Sequence, residues 1–371
     1  RTPRSALALT SAGAALSLDS VRDLASNWAT IMAAQPCRGG VLPAGRRLAC
    51  TSALMALLWP GSMLAQPPSA RVARIGFLIE PRVDENMQSA VLEPFRQELR
   101  KLGYHEGRNV LLEVRSAEGV YARLRDLAEE LVRQKPHVIV AAFPAPTLTA
   151  KSATSSIPVV GVGVVDPVAM GPAQSMARPG GNVTGISGYS LELVAKRLQL
   201  LREFVPQARR IAILANPDAG RGTLGGAIPG WERTLGAQIV VYRARSPEEF
   251  EGIFDAMARD GMQGLIVLAD NNTYTNRIQL NELCLVRRMP SVWGSRYFLT
   301  GGGLASYQSD FPAMFRRAAA MVDRILKGER PQDMAFEQST KLELAIDLRA
   351  AKALGIAVPH ARLAVADVVF K

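Results

Sequence analysis

From residue 74 onward the chain alternates two apolar patterns. Short, mostly apolar runs occur at 74–79, 110–114, 138–142 and 159–164, as in parallel strands buried on both faces. Between them, apolar residues recur at helical spacing. Val91, Phe95, Leu99 and Leu102 share one face and end at Gly103, which can adopt a left-handed cap. Leu124, Leu127 and Leu131 form a second such face, and further helices are expected over 145–153 and 167–177. Four strand–helix units in succession predict a parallel sheet covered by helices on both sides.

The run Arg178-Pro179-Gly180-Gly181-Asn182-Val183-Thr184-Gly185 interrupts this alternation with turn chemistry. The pattern then restarts. A helix over 191–205 is followed by strands at 211–215, 239–242, 265–269 and 291–293, separated by helices over 224–235, 247–259 and 274–288. Gly301-Gly302-Gly303 leads through a segment at 304–307 to a helix over 310–327, a strand at 342–346 and a short helix ending at Leu354. The expected fold is α/β: two Rossmann-like lobes with parallel sheets joined by a hinge, with Gly-rich crossings near 180 and 302 and a cleft between the lobes. The expected boundaries are 72–183 for the first lobe, completed by part of the segment after 305, and 184–304 for the second. Residues 305–371 return to the hinge and both lobes.

Charge changes the picture little. The net charge of +11 invites a nucleic-acid partner. Residues 1–65 hold six arginines against two aspartates, which is +4 of that total. The remaining +7 is scattered in pairs such as Arg209-Arg210 and Arg316-Arg317, with no basic stripe interleaved with aromatics, so nucleic acid is not an expected partner. The front end carries an export pattern instead. Arg46-Arg47 precede an apolar run at 48–59, and Ser62-Met63-Leu64-Ala65 offers small residues for cleavage before Gln66. The run is shorter than the roughly 20 residues that span a bilayer. A signal peptide cleaved after Ala65 and a periplasmic location are expected, and residues 1–31 fit neither leader nor domain. Cys37 and Cys50 would leave with the leader, and Cys284 alone can form no internal disulfide.

Enzyme signatures are missing. Gly161-Val162-Gly163 lacks the third glycine of a dinucleotide fingerprint, because Asp166 stands in its place. Gly185-Ile186-Ser187-Gly188 is not a nucleophile elbow. His105, His137 and His360 occur at no metal-ligand spacing. No catalytic residue, cofactor or metal is expected. Ligands of open α/β sheets bind beyond the carboxyl ends of the strands, so the candidate ligand-binding residues are those that follow each strand. In the first lobe these are Glu80, Arg82, Phe143, Pro144 and Asp166. In the second they are Asp270, Asn271, Tyr274, Trp293, Arg296 and Tyr307. Asp270 would meet an amino group, Arg296 or Arg82 a carboxylate, and Phe143, Tyr274 and Trp293 would form aromatic walls. Asp166, Asp218 and Asp270 are equally placed to cap helices.

Several segments carry a family resemblance: Arg74-Ile75-Gly76-Phe77-Leu78, Val165-Asp166-Pro167-Val168, the run from Arg178 to Gly185, Ala212-Ile213-Leu214-Ala215-Asn216-Pro217 and Ala351-Lys352-Ala353-Leu354-Gly355-Ile356. Together they resemble the extracytoplasmic substrate-binding proteins of ABC importers, in the group that includes tryptophan and tyrosine binders. The resemblance covers roughly residues 72–370. It implies a type I periplasmic-binding-protein fold that captures a small molecule by lobe closure and hands it to an ABC permease in the inner membrane. The chain departs from the usual small Gly-Thr pair after the third strand, where it has Ala142-Phe143-Pro144, so the cargo is not transferable from a relative. A ligand-presenting sensor module and a secreted α/β enzyme are the alternatives. A transcription regulator would need a helix-turn-helix where this chain has an export leader.

Overall fold

A computed structural model describes residues 72–188, 191–217 and 224–371. The expected leader, its cleavage point and Asp218 lie outside the described residues. The strands of the first half are β1 (Ala73–Ile79), β2 (Val110–Ser116), β3 (Val138–Ala142), β4 (Val159–Val164) and β5 (Val183–Ser187). Their helices are α1 (Glu93–Lys101), α2 (Leu124–Arg133) and α3 (Pro144–Ala153). The second half contributes α4 (Leu191–Phe204), β6 (Arg210–Ala215), α5 (Leu224–Leu235), β7 (Gln238–Arg243), α6 (Phe250–Arg259), β8 (Gly264–Val267), α7 (Asn271–Thr275), α8 (Arg277–Val286), β9 (Ser291–Trp293) and β10 (Ala305–Ser309). The chain finishes with α9 (Phe311–Leu326), β11 (Glu337–Gln338), β12 (Leu342–Asp347), α10 (Leu348–Leu354), α11 (His360–Ala364) and β13 (Val368–Phe370).

The strands form two sheets. The first runs β11-β5-β4-β3-β1-β2 and is parallel throughout. The second runs β13-β12-β10-β9-β8-β6-β7, where β12 is antiparallel to β10. The registers bury the unbroken apolar runs: Ile75 lies opposite Val138, Ile139 opposite Val159, and Ile213 opposite Ile266. Helix α9 comes late in the chain yet packs on the first sheet beside α1, where Phe77 meets Phe95 at 5.4 Å and Phe315 at 6.1 Å between ring centroids. All three rings are fully buried, and burial of a side chain of this size is worth about 2–3 kcal/mol. Pro94 has no amide to continue an α-helical ladder, and the five residues Gln88–Leu92 just before it wind as a π-helix.

The α/β two-lobe expectation is met, and β3, β4 and β9 occupy the residues read from the pattern. The crossings differ. Val183–Ser187 pairs with β4, so the chain leaves the first sheet after Ser187 and not at 183–184. It returns between β10 and α9 and crosses again between β11 and β12. The glycine run at 301–303 is not a crossing; it stays inside the second lobe, where the amides of Gly302 and Gly303 donate to Asn281 Oδ1 at 3.0 and 2.9 Å. No helix forms over 167–177. There the Asp166 carboxylate accepts the amides of Val168 and Ala169, and Gly171 turns the chain at φ +86°. Short β11 and β13 were not anticipated. Among the described residues, no helix is long and apolar enough to cross a membrane.

Candidate functional site

The carboxyl ends of both sheets face each other, and side chains bridge them. Asp84, in the loop after β1, caps the next helical turn by accepting the Met87 amide at 3.0 Å. Its carboxylate also accepts the Tyr274 hydroxyl at 2.5 Å and an Arg277 nitrogen at 2.9 Å, both from the second lobe. Nearby, Asn271 Nδ2 donates to the Gly119 carbonyl at 2.7 Å. A capping box positions this part of the second lobe. The Asp270 carboxylate accepts the Thr273 amide, and the Thr273 hydroxyl accepts the Asp270 amide, which starts α7 directly after β8. Arg277 then lies over the Tyr274 ring at 4.3 Å and donates to the Tyr274 carbonyl. Burial, reinforced by the bond to Asp84, pushes the Tyr274 hydroxyl well above the ordinary tyrosine range.

Deeper in, a polar network surrounds the crossings. Arg296 pairs with Glu343 at 3.2 Å and donates to the Tyr297 hydroxyl at 2.9 Å. Gln308 Nε2 donates to Glu343 at 3.1 Å, and Lys341 pairs with Asp310 at 2.6 Å beside the start of α9. Arg197 of α4, 2% exposed, donates to the carbonyls of Tyr307 at 2.8 Å and Gly294 at 3.4 Å, tying the ends of β9 and β10 together. Burial raises the Glu343 carboxyl despite the pull of Arg296. For Asp310 burial acts the same way, but Lys341 and the Ala313 amide outweigh it and hold the group low. The raised Glu343 means that the folded protein holds this proton to higher pH than the unfolded chain does. Stability from this group is therefore greatest at acid pH and declines as pH rises from the ordinary glutamate value through the raised one. Thermal melts across that range should show the decline in wild type and lose that component in Glu343→Gln; parallel curves would refute the assignment.

Phe143 stands out by its backbone. At φ +78° and ψ 172° it occupies a region that is essentially reserved for glycine, and holding a bulky residue there costs about 1–3 kcal/mol. The surroundings hold it in place. Its amide donates to Val162 O at 2.7 Å, its carbonyl accepts the Thr147 hydroxyl, and its ring packs 5.6 Å from Phe311 and 6.3 Å from Phe315. Phe311 in turn lies 6.0 Å from the near-parallel ring of Tyr297. An aromatic ladder thus runs from the end of β3, through the second crossing, to the second lobe.

The residues expected at the site separate into three groups. Phe143, Asn271, Tyr274 and Arg296 lie where the lobes or their crossings meet, and buried Glu80 closes β1 on the same side. Asp270 and Asp166 serve as caps, Pro144 begins α3, and Arg82 pairs with Glu118 at 3.6 Å with its side chain 79% exposed. Trp293 is not an aromatic wall, and Tyr307 packs within the second lobe. The Trp293 indole is fully buried and donates to Ser291 Oγ, because Gly303 leaves it room to pack within the lobe. Tyr307 packs against a second apolar cluster with Leu198, Leu201 and Leu344. Asp84 and Arg277 were missed. Asp84 was legible as a cap before an apolar helical face, and Arg277 follows Tyr274 at helical i,i+3 spacing, but nothing in the pattern brings them together. Among the described residues, no group of three or more His, Cys, Asp or Glu side chains could hold a metal ion.

The family described as ABC transporter substrate binding protein matches residues 80–370. A tyrosine-binding protein of Clostridioides difficile is 22% identical over 261 residues, covering 70% of this chain and 75% of that protein. Among solved structures, a conserved domain protein from Vibrio cholerae superposes with a TM-score of 0.75 at 25% identity, over 81% of this chain and 100% of that one. The ABC domain of Streptococcus pneumonia in complex with L-Trp superposes with a TM-score of 0.74 at 21% identity, over 80% and 99%. The type I binding-protein fold expected from the resemblance is the fold observed, with a crossing between sheets where a hinge belongs. The match begins just after β1 and takes in the rest of both lobes and all three crossings, and the protein belongs to the ABC transporter substrate binding protein family.

Proposed function

We propose that this protein captures an amino acid or an aromatic organic acid between its lobes and delivers it, unchanged, to an ABC permease of the inner membrane. The observation that carries this reading is the meeting of strand ends from two sheets around the aromatic Phe143 and the charged Arg296, with Asn271 and Tyr274 joining the lobes beside them. A ligand that touches both lobes favours closure by its differential affinity for the closed state. Aromatic faces suit a ring, and a guanidinium suits a carboxylate. The relatives named for tyrosine and crystallised with L-Trp support this cargo class. The export pattern before Gln66 supports a periplasmic location. A thermal-shift screen of the twenty amino acids and a set of aromatic acids tests the proposal, because a ligand at 100 times its Kd stabilises by about 2.7 kcal/mol. At least one compound is expected to raise the melting temperature by several degrees. A flat response to all of them would reject the cargo class.

A further inference from the structure

Asp84, Tyr274 and Arg277 leave no room for a ligand between them, because each already bonds directly to its counterpart across the lobes. Both Asp84 oxygens are taken: Oδ1 accepts the Met87 amide and the Tyr274 hydroxyl, and Oδ2 accepts Arg277. Asp84 belongs to the first lobe, whereas Tyr274 and Arg277 belong to the second. The side chains of Arg277 and Asp84 are 18% and 29% exposed, so the contact is partly shielded from water and still within reach of dissolved salt. Tyr274 is 3% exposed, and Phe298 packs at 5.2 Å from its ring. Asn271 adds a bond to the Gly119 carbonyl from the same helix α7.

We infer that Asp84, Tyr274 and Arg277 form a cargo-independent closing contact, a set of positioning residues that draws the lobes together whatever lies in the cleft. The inference rests on the receptor reading but not on which cargo is bound. Lobe opening must break both bonds to Asp84 and rehydrate the Tyr274 hydroxyl and the Arg277 guanidinium. Hydrogen bonds to a charged group are stronger than those between neutral groups, while partial exposure and the desolvation of Arg277, whose Nε is buried without a hydrogen-bond partner, offset part of that. The expected net effect is about a ten-fold shift in the ratio of closed to open molecules, equivalent to about 1.4 kcal/mol. Every ligand that binds the closed form would gain the same factor, so this contact raises affinity without selecting among cargoes.

Small-angle scattering of the ligand-free protein tests this. Asp84→Asn keeps an acceptor for the Met87 amide and removes the charge, Arg277→Met keeps the stem and removes the guanidinium, and Tyr274→Phe removes only the hydroxyl. Wild type is expected to be compact at low salt and to expand as salt screens the pair. Each charge variant is expected to be expanded at low salt and insensitive to added salt, and the double variant should match the singles. If a charge variant fails to fold, the salt response of wild type and the low-salt expansion of Tyr274→Phe decide the matter. Identical radii of gyration in wild type and variants at low salt would overturn the inference, as would a wild type already open. The empty protein is used throughout, so failure here is distinct from failure of the cargo screen.

Discussion

Replacement of Asn281 by alanine is expected to destabilise the protein by about 4 kcal/mol, because buried polar groups left without partners cost roughly 1–3 kcal/mol each. Asn281 is 2% exposed and makes five hydrogen bonds. Its Oδ1 accepts the amides of Thr300, Gly302 and Gly303 at 3.2, 3.0 and 2.9 Å. Its Nδ2 donates to the carbonyls of Arg277 and Phe298 at 2.7 and 2.8 Å. One amide therefore joins the first turn of α8 to the loop after β9, and both segments carry groups of the site. Gly302 is held so closely that an added Cβ would lie 2.1 Å from the Asn281 carbonyl oxygen. Denaturant unfolding should show a lower midpoint with an unchanged slope. Asn281→Asp is expected to fall between wild type and alanine, since it keeps an acceptor for the three amides and loses the two donors. An unfolding free energy within about 0.5 kcal/mol of wild type for alanine would show that the glycine loop holds itself.

Gly185→Ala is the second large effect. An added Cβ at Gly185 would stand 1.8 Å from the carbonyl oxygen of Gly161 and within 2.8 Å of two further atoms of that residue, all backbone. No rotamer relieves a backbone clash, so β5 must move away from β4 along the edge that carries the first crossing. Overpacking a core usually costs about 1–3 kcal/mol, and displacement of a ladder should place this variant at or above the top of that range. Gly181→Ala is the internal control: it lies in the turn just before β5, with nothing within 4 Å of its added Cβ. The control is expected to melt within about 1 °C of wild type, a shift far below 1 kcal/mol. Equal melting temperatures for the two variants would contradict the packing account of Gly185.

Much of the layered fold was legible because buried parallel strands announce themselves as unbroken apolar runs. Val138–Ala142 and Val159–Val164 are buried at every position, and their limits matched the pattern. The crossings were less legible. Val183–Ser187 is a central strand whose Thr, Gly and Ser look like turn chemistry, yet the Thr184 hydroxyl is buried and donates to the Met334 carbonyl. The glycines at 301–303 look like a hinge from composition alone, whereas their function is to wrap a side chain twenty residues earlier in the chain. Two-residue β11 has no periodicity to detect; it is specified by its neighbour β5.

The candidate site divides in the same way. Strand-end placement pointed to Phe143, Asn271, Tyr274 and Arg296, which lie where the lobes or their crossings meet, because topology dictates where strand ends converge. It did not separate side chains that reach the cleft from those that cap a helix or fill a core. Asp166 took the amides of the turn that follows it and Asp270 those at a helix start, and the large apolar indole of Trp293 took a core position. The strain at Phe143 and the Asp84–Arg277 contact depend on backbone angles and on partners 193 residues apart in the chain, which no local pattern encodes.

The central claim is that the cleft retains a small molecule without changing it. Equilibrium dialysis of the purified protein against a labelled mixture of amino acids and aromatic acids, followed by mass analysis of the retained fraction, tests it most directly. The account predicts one intact molecule of a single compound retained per chain, released on unfolding. Retention of nothing, or recovery of a chemically altered product in excess of the protein, would contradict it.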